Sequence, residues 1–347
     1  MKRAQRLSQN VATMQDVARV AGVSPMTVSR SLSGNAAVSP ETRERIHAAI
    51  KKLRYSPNIA ARNLARATCI RIGLLYNNPS AAYLNEFLLG VLELSRQAGC
   101  EIVLEKCGMN REREAIRKLL KDGINGIILP PPLSDSIAAL KSLRDADLPF
   151  VAVATGRREV ECLTVRIDDL EAAAAMTRYL LSLGHRKIGF IIGASNQKAS
   201  RQRYLGFRAA LKEAGIDERQ EWVKKGSFSY RSGVVAAEQI LSLADRPSAL
   251  FASNDDMAAG ALAVAHKLHL DVPVQLTVAG FDDTPLASTI WPTLTTVRQP
   301  VAAMAGKALE LLLEEIRLRR QGKTQAPMQK VLNYSLVKRE SSAVYQG

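Results

Sequence analysis

Two groups of residues in this 347-residue chain have types and spacing that suit chemistry, and neither suits bond-making. The first is Ser24-Pro25-Met26-Thr27-Val28-Ser29-Arg30. Ser24 can cap a helix whose first residue is Pro25, because a missing N–H costs nothing there. Val28 and Leu32, four apart, then face inward. Pro25, Met26, Thr27, Ser29 and Arg30 fall near the outward, N-terminal end. An arginine there can bond a guanine bidentately. Pro25 and Met26 cannot donate through their side chains and would read shape and thymine methyls. The second group is dispersed over Tyr83, Arg203, Phe228, Asn254 and Asp282. It pairs a guanidinium, a carboxylate and an amide with two flat rings, the set that grips a small polyhydroxylated or heteroaromatic ring.

The first group needs a scaffold of short helices. Thr13-Met14-Gln15-Asp16 has the spacing of a capping box. Val17, Ala18, Val20 and Ala21 give the helix after it an apolar face, and Gly22 suits the turn that ends it. A third helix opens with Ser39, Pro40 and Glu41 and runs to about Leu53, with Ile46, Ala49, Ile50 and Leu53 on one face. Helix-turn-helix motifs place the start of their second helix in a major groove. After Pro57, the stretch 58–66 is too short to be a stable helix alone. It is expected to be disordered when free and helical when bound. Asn58 can cap it. The charge agrees: residues 1–67 hold twelve lysines and arginines against three acids, whereas the whole chain carries +15. A basic N-terminal unit on a nearly balanced body is the footprint of phosphate binding.

The second group needs strands. Period-two apolar runs at 70–76, 101–104, 126–129, 150–153 and 164–167 alternate with helical stretches at 84–98, 111–121, 136–145 and 169–183. The pattern restarts with strands at 188–192, 222–224, 249–252 and 276–279. Helices at 199–214, 231–243 and 255–268 lie among them. Such alternation implies right-handed crossovers and parallel sheets with helices on both faces. Two doubly wound lobes follow, with a helix at 300–319 and a strand at 331–337 left to cross back. Ligands of such folds sit beyond the carboxyl ends of the strands.

The N-terminal strings Asp16-Val17-Ala18, Ala21-Gly22-Val23-Ser24, Thr27-Val28-Ser29-Arg30, Val38-Ser39, Thr42-Arg43 and Tyr55-Ser56-Pro57-Asn58 resemble the headpiece and hinge of the lactose-repressor (LacI/GalR) family. Further strings continue the resemblance along nearly the whole chain. They are Gly184-His185, Arg203-Tyr204-Leu205-Gly206-Phe207, 254–260, Gly280-Phe281-Asp282-Asp283 and 292–300. The resemblance implies a fold of three parts. A small all-α helix-turn-helix headpiece and a hinge helix precede a two-lobed α/β effector domain like that of periplasmic sugar-binding proteins. It implies boundaries: a disordered extension over 1–12, a headpiece over 13–57 and a hinge over 58–68. A core would span 69–340 and a tail 341–347. The N-lobe would take 69–167 and 300–328, and the C-lobe 168–299 and 329–340. It also implies that Leu64 is the operator wedge, that Ala61 is small where paired hinge helices approach closely, and that Tyr83, Arg203, Phe228, Asn254 and Asp282 line an effector cleft. Thr13 joins the DNA-contacting set. This chain departs from the family in two places. It has Ala154-Thr155-Gly156-Arg157 where many members carry an Asp, and Pro130-Pro131-Pro132 where others carry a polar residue. Its N-lobe therefore offers fewer charged partners.

The function expected is a transcriptional regulator, in the family's usual mode a repressor, acting as a homodimer on a pseudo-palindromic double-stranded operator. Its effector would be a sugar or sugar derivative, with a purine as the alternative. A plain solute-binding protein is disfavoured by the basic headpiece and by the absence of an export signal. An enzyme is disfavoured because no phosphate-binding glycine loop, nucleophile elbow or metal constellation occurs. No cofactor and no metal are expected, and His266 with His269 reads as a surface pair. Four cysteines without metal or redox spacing read as free thiols. With no run of ~18 apolar residues, no membrane span is expected and the location is cytoplasmic. The C-terminal residues hold no sustained heptads, so a dimer is expected rather than a tetramer.

Overall fold

A computed structural model of the chain describes residues 12–32, 38–53, 70–108, 110–156 and 162–346. The side chains of Ser29, Arg30 and Leu32 lie outside the description, as do the hinge residues Asn58, Ala61 and Leu64. The chain forms two compact units, divided after Cys69.

The first unit holds helices α1 (Met14–Ala21), α2 (Pro25–Leu32) and α3 (Pro40–Leu53). The capping box forms: Thr13 Oγ1 accepts from the Asp16 N–H at 3.3 Å, and the Thr13 N–H donates to Asp16 Oδ2 at 3.0 Å. Gly22 ends α1 at φ +65°, a left-handed conformation that a side chain would strain. Arg45 of α3 donates to the freed Ala21 carbonyl at 2.6 Å, so one side chain ties the end of α1 to α3. Ser24 accepts from the Thr27 N–H at 3.1 Å and starts α2. Val17, Ala18, Ala21, Val28, Ile46 and Ala49 form the small core. Val20 does not join it: it is exposed, because α1 turns only its 17/18/21 face inward.

The second unit is a two-lobed α/β core. Its first lobe comprises β1 (Arg71–Tyr76), α4 (Ala81–Ala98), β2 (Glu101–Lys106), α5 (Glu112–Lys121), β3 (Gly126–Leu129), α6 (Ile137–Asp145), β4 (Phe150–Val153) and β5 (Leu163–Arg166). The chain then crosses to α7 (Asp169–Ser182), β6 (Ile188–Ile192), α8 (Lys198–Glu213), β7 (Val223–Lys225), α9 (Tyr230–Leu241) and β8 (Ala249–Ala252). The same lobe continues through α10 (Asp255–Lys267), β9 (Thr277–Asp282), α11 (Leu286–Thr289) and β10 (Thr295–Arg298). α12 (Val301–Arg320) returns to pack on α4, β3, β4 and β5. The strands β11 (Gln329–Val331) and β12 (Ser335–Val337) finish one sheet each.

The sheet orders are β11-β5-β4-β3-β1-β2 and β12-β10-β9-β8-β6-β7. All pairings are parallel except β10 with β12. Central strands such as β3, β8 and β9 are buried throughout, as helix-covered parallel sheets require. Gly206 on α8 marks a close crossing: a methyl there would stand 2.0 Å from the Leu170 carbonyl oxygen of α7. That crossing gives the Arg203-to-Phe207 string a packing reason for its glycine.

The C-terminal part differs from expectation in three ways. The run at 331–337 is not one strand: Gln329–Val331 pairs with β5 of the first lobe, and Ser335–Val337 pairs with β10 of the second. The lobe division drawn at 328 therefore falls after 331, since backbone hydrogen bonds carry those three residues into the first sheet. Residues 341–345, set apart from the core as a tail, are packed against the second lobe. Ser341 is fully buried and donates to the Val278 carbonyl at 2.6 Å. His185 lies within 3.1 Å of the Ala343 carbonyl through Nε2, and Nδ1 within 2.9 Å of Ser248 Oγ. Finally, 295–298 is a strand that apolar patterning missed, because Thr295, Thr296, Val297 and Arg298 carry little hydrophobic signal.

Candidate functional site

In the headpiece, Ser24, Pro25 and Met26 are exposed at the start of α2, Met26 by 63%. Thr27 is half-buried and pairs with Ser24 through their hydroxyls at 2.9 Å. Thr13 is exposed but committed to its capping box. Val28 beneath is fully buried, so packing fixes which side of α2 faces outward. An exposed, side-chain-capped helix start next to a short turn from α1 is the geometry that presents a helix to a groove.

In the core, a narrow cavity of about 20 Å³ lies at the carboxyl ends of both sheets. Tyr83, Arg203, Phe228, Asn254 and Asp282 all line it, together with Asn78, Ser80, Pro131, Ala154, Gln197, Ala199 and Gln299. All five expected effector residues are thus brought to one place, though chain distances between them reach about two hundred residues.

Arg203 stands in the second turn of α8 and is buried. Its Nε donates to Asp169 Oδ1 at 2.8 Å and its Nη1 to the Ser253 carbonyl at 2.6 Å. Nη1 also lies 3.5 Å from Asp282 Oδ1, and the guanidinium stacks 3.7 Å from the Phe281 ring centre. A buried guanidinium held this way is fixed in plane and cannot swing away. Asp282 ends β9 rather than following it, and Gln299 donates to it at 2.5 Å. Burial, only partly offset by Arg203, pushes the Asp282 carboxyl up to about 7. Burial also raises Asp169, and it raises Asp255 well above the carboxylate range with Asp282 adding repulsion.

Asp255 and Asp256 are not simple helix caps. Asn254 is the cap: its side chain accepts from the Met257 N–H at 3.0 Å. Its amide group donates to the Phe228 carbonyl and to Asp256. Asp255 accepts from the Thr284 N–H and from Thr296 Oγ1 at 2.6 Å, pinning the ends of β9 and β10. The Tyr83 hydroxyl and Gln299 Oε1 are buried without a hydrogen-bond partner. An orphaned buried polar group costs ~1–3 kcal/mol, so these two atoms mark where a polar ligand gains most.

Backbone strain gathers here as well. Ala154, Phe228, Asp282 and Asp283 have φ of +51°, +62°, +119° and +58°. Non-glycine residues in that region cost ~1–3 kcal/mol each and persist where the surroundings enforce them. Residue type gave no sign of this strain. Asp169 and Gln299 were not singled out either. Asp169 read only as a helix start, although Asp168 already caps α7 and a second acid beside it was surplus.

A capped reading helix on a basic unit, joined to a two-lobed core with a buried polar cleft, defines a ligand-responsive DNA-binding regulator. Residues 13–58 match the family model for bacterial regulatory proteins of the lacI family, and residues 177–342 match that for a periplasmic binding protein-like domain. The chain is 34% identical over 311 residues to the HTH-type transcriptional repressor PurR of Vibrio vulnificus (strain CMCP6). That match covers 88% of this chain and 92% of that protein. It is 36% identical to PurR of Pectobacterium carotovorum subsp. carotovorum (strain PC1), over 90% of this chain and 92% of that one. Among solved structures it resembles the transcriptional regulator CelR–cellobiose complex, with TM-score 0.72, 30% identity, and 95% and 99% of the two chains covered. It also resembles the lac repressor dimer bound to operator and the anti-inducer ONPF, with TM-score 0.74, 27% identity, and 96% and 99% covered. The chain belongs to the lacI family of bacterial regulatory proteins, and it is a DNA-binding transcriptional regulator.

Proposed function

We propose that the chain is a repressor that binds a pseudo-palindromic operator as a homodimer and changes its grip when a sugar or sugar derivative occupies the core cleft. The observation that carries the effector reading is the buried polar set itself. Two nitrogens of Arg203 are taken by Asp169 and Ser253, which fixes the guanidinium in the cavity lining. Asp282, the orphaned Tyr83 hydroxyl and the orphaned Gln299 oxygen stand around the same cavity. A carboxylate beside a guanidinium suits vicinal hydroxyls, one accepting and one donating. The CelR–cellobiose complex supports the sugar reading, and the lac repressor structure, a dimer on its operator, supports the dimer. Relatives called repressors support the sign of control.

A purine is the second reading. The relatives called PurR favour it, and Tyr83 and Phe228 offer faces on which a base can stack. A thermal-shift screen of the full chain against sugars, sugar phosphates and purines separates the two. At 100 times its dissociation constant a ligand adds ~2.7 kcal/mol. Sugar hits alone support the first reading; purine hits alone replace it.

For the DNA side, selection from random duplexes at low salt should return an inverted repeat. Arg30→Ala should relax one base pair of each half-site by ~1–3 kcal/mol. Leu64→Ala should weaken the selected site while sparing random DNA. Recovery of no inverted repeat overturns the operator reading.

A further inference from the structure

The two lobes of the core meet at the starts of helices, and each supplies a carboxylate to the other. α8 begins without a side-chain cap of its own: Gln197, in the capping position, makes no such bond. The Lys198 N–H instead donates at 2.7 Å to Oδ2 of Asp135, which lies in the turn after β3 of the opposite lobe. The other Asp135 oxygen accepts from Thr155 Oγ1 at 2.6 Å, within its own lobe. The mirror contact is at α4, whose cap is Ser80. The Ser80 hydroxyl donates at 2.6 Å to Asp256, in the first turn of α10 in the second lobe. Helix N-termini carry partial positive charge and unpaired N–H groups, so an acid from outside can replace a cap.

A third observation concerns the fit between these surfaces. A methyl on Gly156, in the first lobe, would stand 2.3 Å from the Lys198 carbonyl carbon and 2.5 Å from the Ala199 nitrogen. Both are backbone atoms of the opposite lobe and cannot move aside alone. The φ of Gly156 is outside the left-handed region, so alanine would suit the local chain and clash only across the lobes.

We propose that the cleft is held closed by these two reciprocal carboxylate latches, Asp135 on α8 and Asp256 on Ser80 at α4, with Gly156 setting how near the lobes come. The proposal rests on the reading that the cleft admits an effector, and it adds how that site is gated. α8 also carries Arg203, so the helix that a latch caps is the one that presents the guanidinium. Opening for ligand entry therefore costs both latches, and a ligand that bridges the lobes reinforces them.

The test is amide hydrogen exchange of the full chain, resolved at Lys198, with neither DNA nor small molecule added. Asp135→Ala removes the acceptor and should speed that exchange roughly three- to thirtyfold, the span for losing a helix cap. Asp256→Ala and Gly156→Ala do not remove the Lys198 acceptor, yet each should speed the same exchange by loosening or blocking closure. Thr155→Val removes a donor to Asp135 within the first lobe but keeps the Asp135 oxygen that accepts from Lys198, and should leave Lys198 near the wild-type rate. Should Lys198 exchange at the wild-type rate in both Asp256→Ala and Gly156→Ala, the latches are independent contacts and the proposal fails. Should Thr155→Val match Asp135→Ala, Asp135 serves its own lobe and the proposal also fails. Operator binding, measured beside it, decides the regulator reading separately, because the exchange needs neither ligand.

Discussion

The two lobes of the core are one topology built twice, and they differ in chemistry. In each, the strand order follows one pattern, from a late-arriving edge strand inward to the first strand and out to the second. Yet, among the described residues, the first lobe contributes no charged side chain to the cavity lining, only Asn78, Ser80, Tyr83, Pro131 and Ala154. The second supplies Arg203 and Asp282, with Asn254 and Gln299 beside them. Asp169 and Asp255 stand behind these. The duplication fixes where a cleft lies, at the carboxyl ends of the strands, and leaves its chemistry to single residues. One lobe holds the charged machinery, the other brings Tyr83 with its orphaned hydroxyl, and each supplies one carboxylate to the other.

This division of labour predicts unequal responses to substitution. The largest should come from the charged lobe. Arg203→Leu leaves Asp169 and Asp282 buried without their cation, and breaking such a set costs ~3–5 kcal/mol. Denaturant melts of the full chain should show that loss in the core, with any ligand-induced shift abolished. A loss below ~1 kcal/mol would mean that the charges are not locked together.

A smaller effect should appear with pH, again from the second lobe. Burial raises Asp282 to about 7, while an unfolded Asp titrates near ~3.9. The folded core therefore binds more protons than the unfolded chain between those values. This group's contribution to stability falls as pH rises from ~4 to ~7. Asp169 and Asp255 are shifted the same way. The melting temperature of Asp282→Asn should depend less steeply on pH than the wild type between pH 5 and 8. It should gain most over the wild type at the alkaline end. Parallel curves would show that Asp282 ionises as freely as a surface acid.

The smallest change in stability should come from the uncharged lobe. Tyr83→Phe removes a hydroxyl that has no protein partner. Core stability should then stay level or rise by up to ~1 kcal/mol, while affinity for whichever compound the screen finds falls about tenfold. A clear loss of stability would mean that the hydroxyl serves the fold, which would blur the contrast between the lobes.

Much of this was legible in the sequence because it is local. The capping box at Thr13 and Asp16, the turn at Gly22 and the cap at Ser24 each depend on residues within four positions, and they form as expected. The alternating runs gave most strands and helices for the same reason. Two parts of the core were less legible. Residues 295–298 are β-structure by virtue of their neighbours β9 and β12, not their own polarity. Residues 331–337 read as one strand, since a chain that changes sheets keeps its residue pattern while changing partners.

At the site, the sequence by itself determined the residue types, and the family strings held Arg203, Asn254 and Asp282 but neither Tyr83 nor Phe228. A lone residue type cannot say what its neighbours take from it. Asn254 looked like a free donor and acceptor, and packing spends it on Met257, Phe228 and Asp256. Asp255 and Asp256 are adjacent in sequence but face different partners, one tying β9 to β10 and the other reaching the opposite lobe. Asp169, Gln299 and Asp135 gained their roles only when the lobes assembled, because each partner lies 17 to 63 residues away. The sequence thus decided the caps, the periodicities and the inventory of charges, which act over a few residues. The tertiary structure alone decided which charges are buried together, which groups are left unpaired and how closely two lobes fit, because those depend on distances the chain order does not contain.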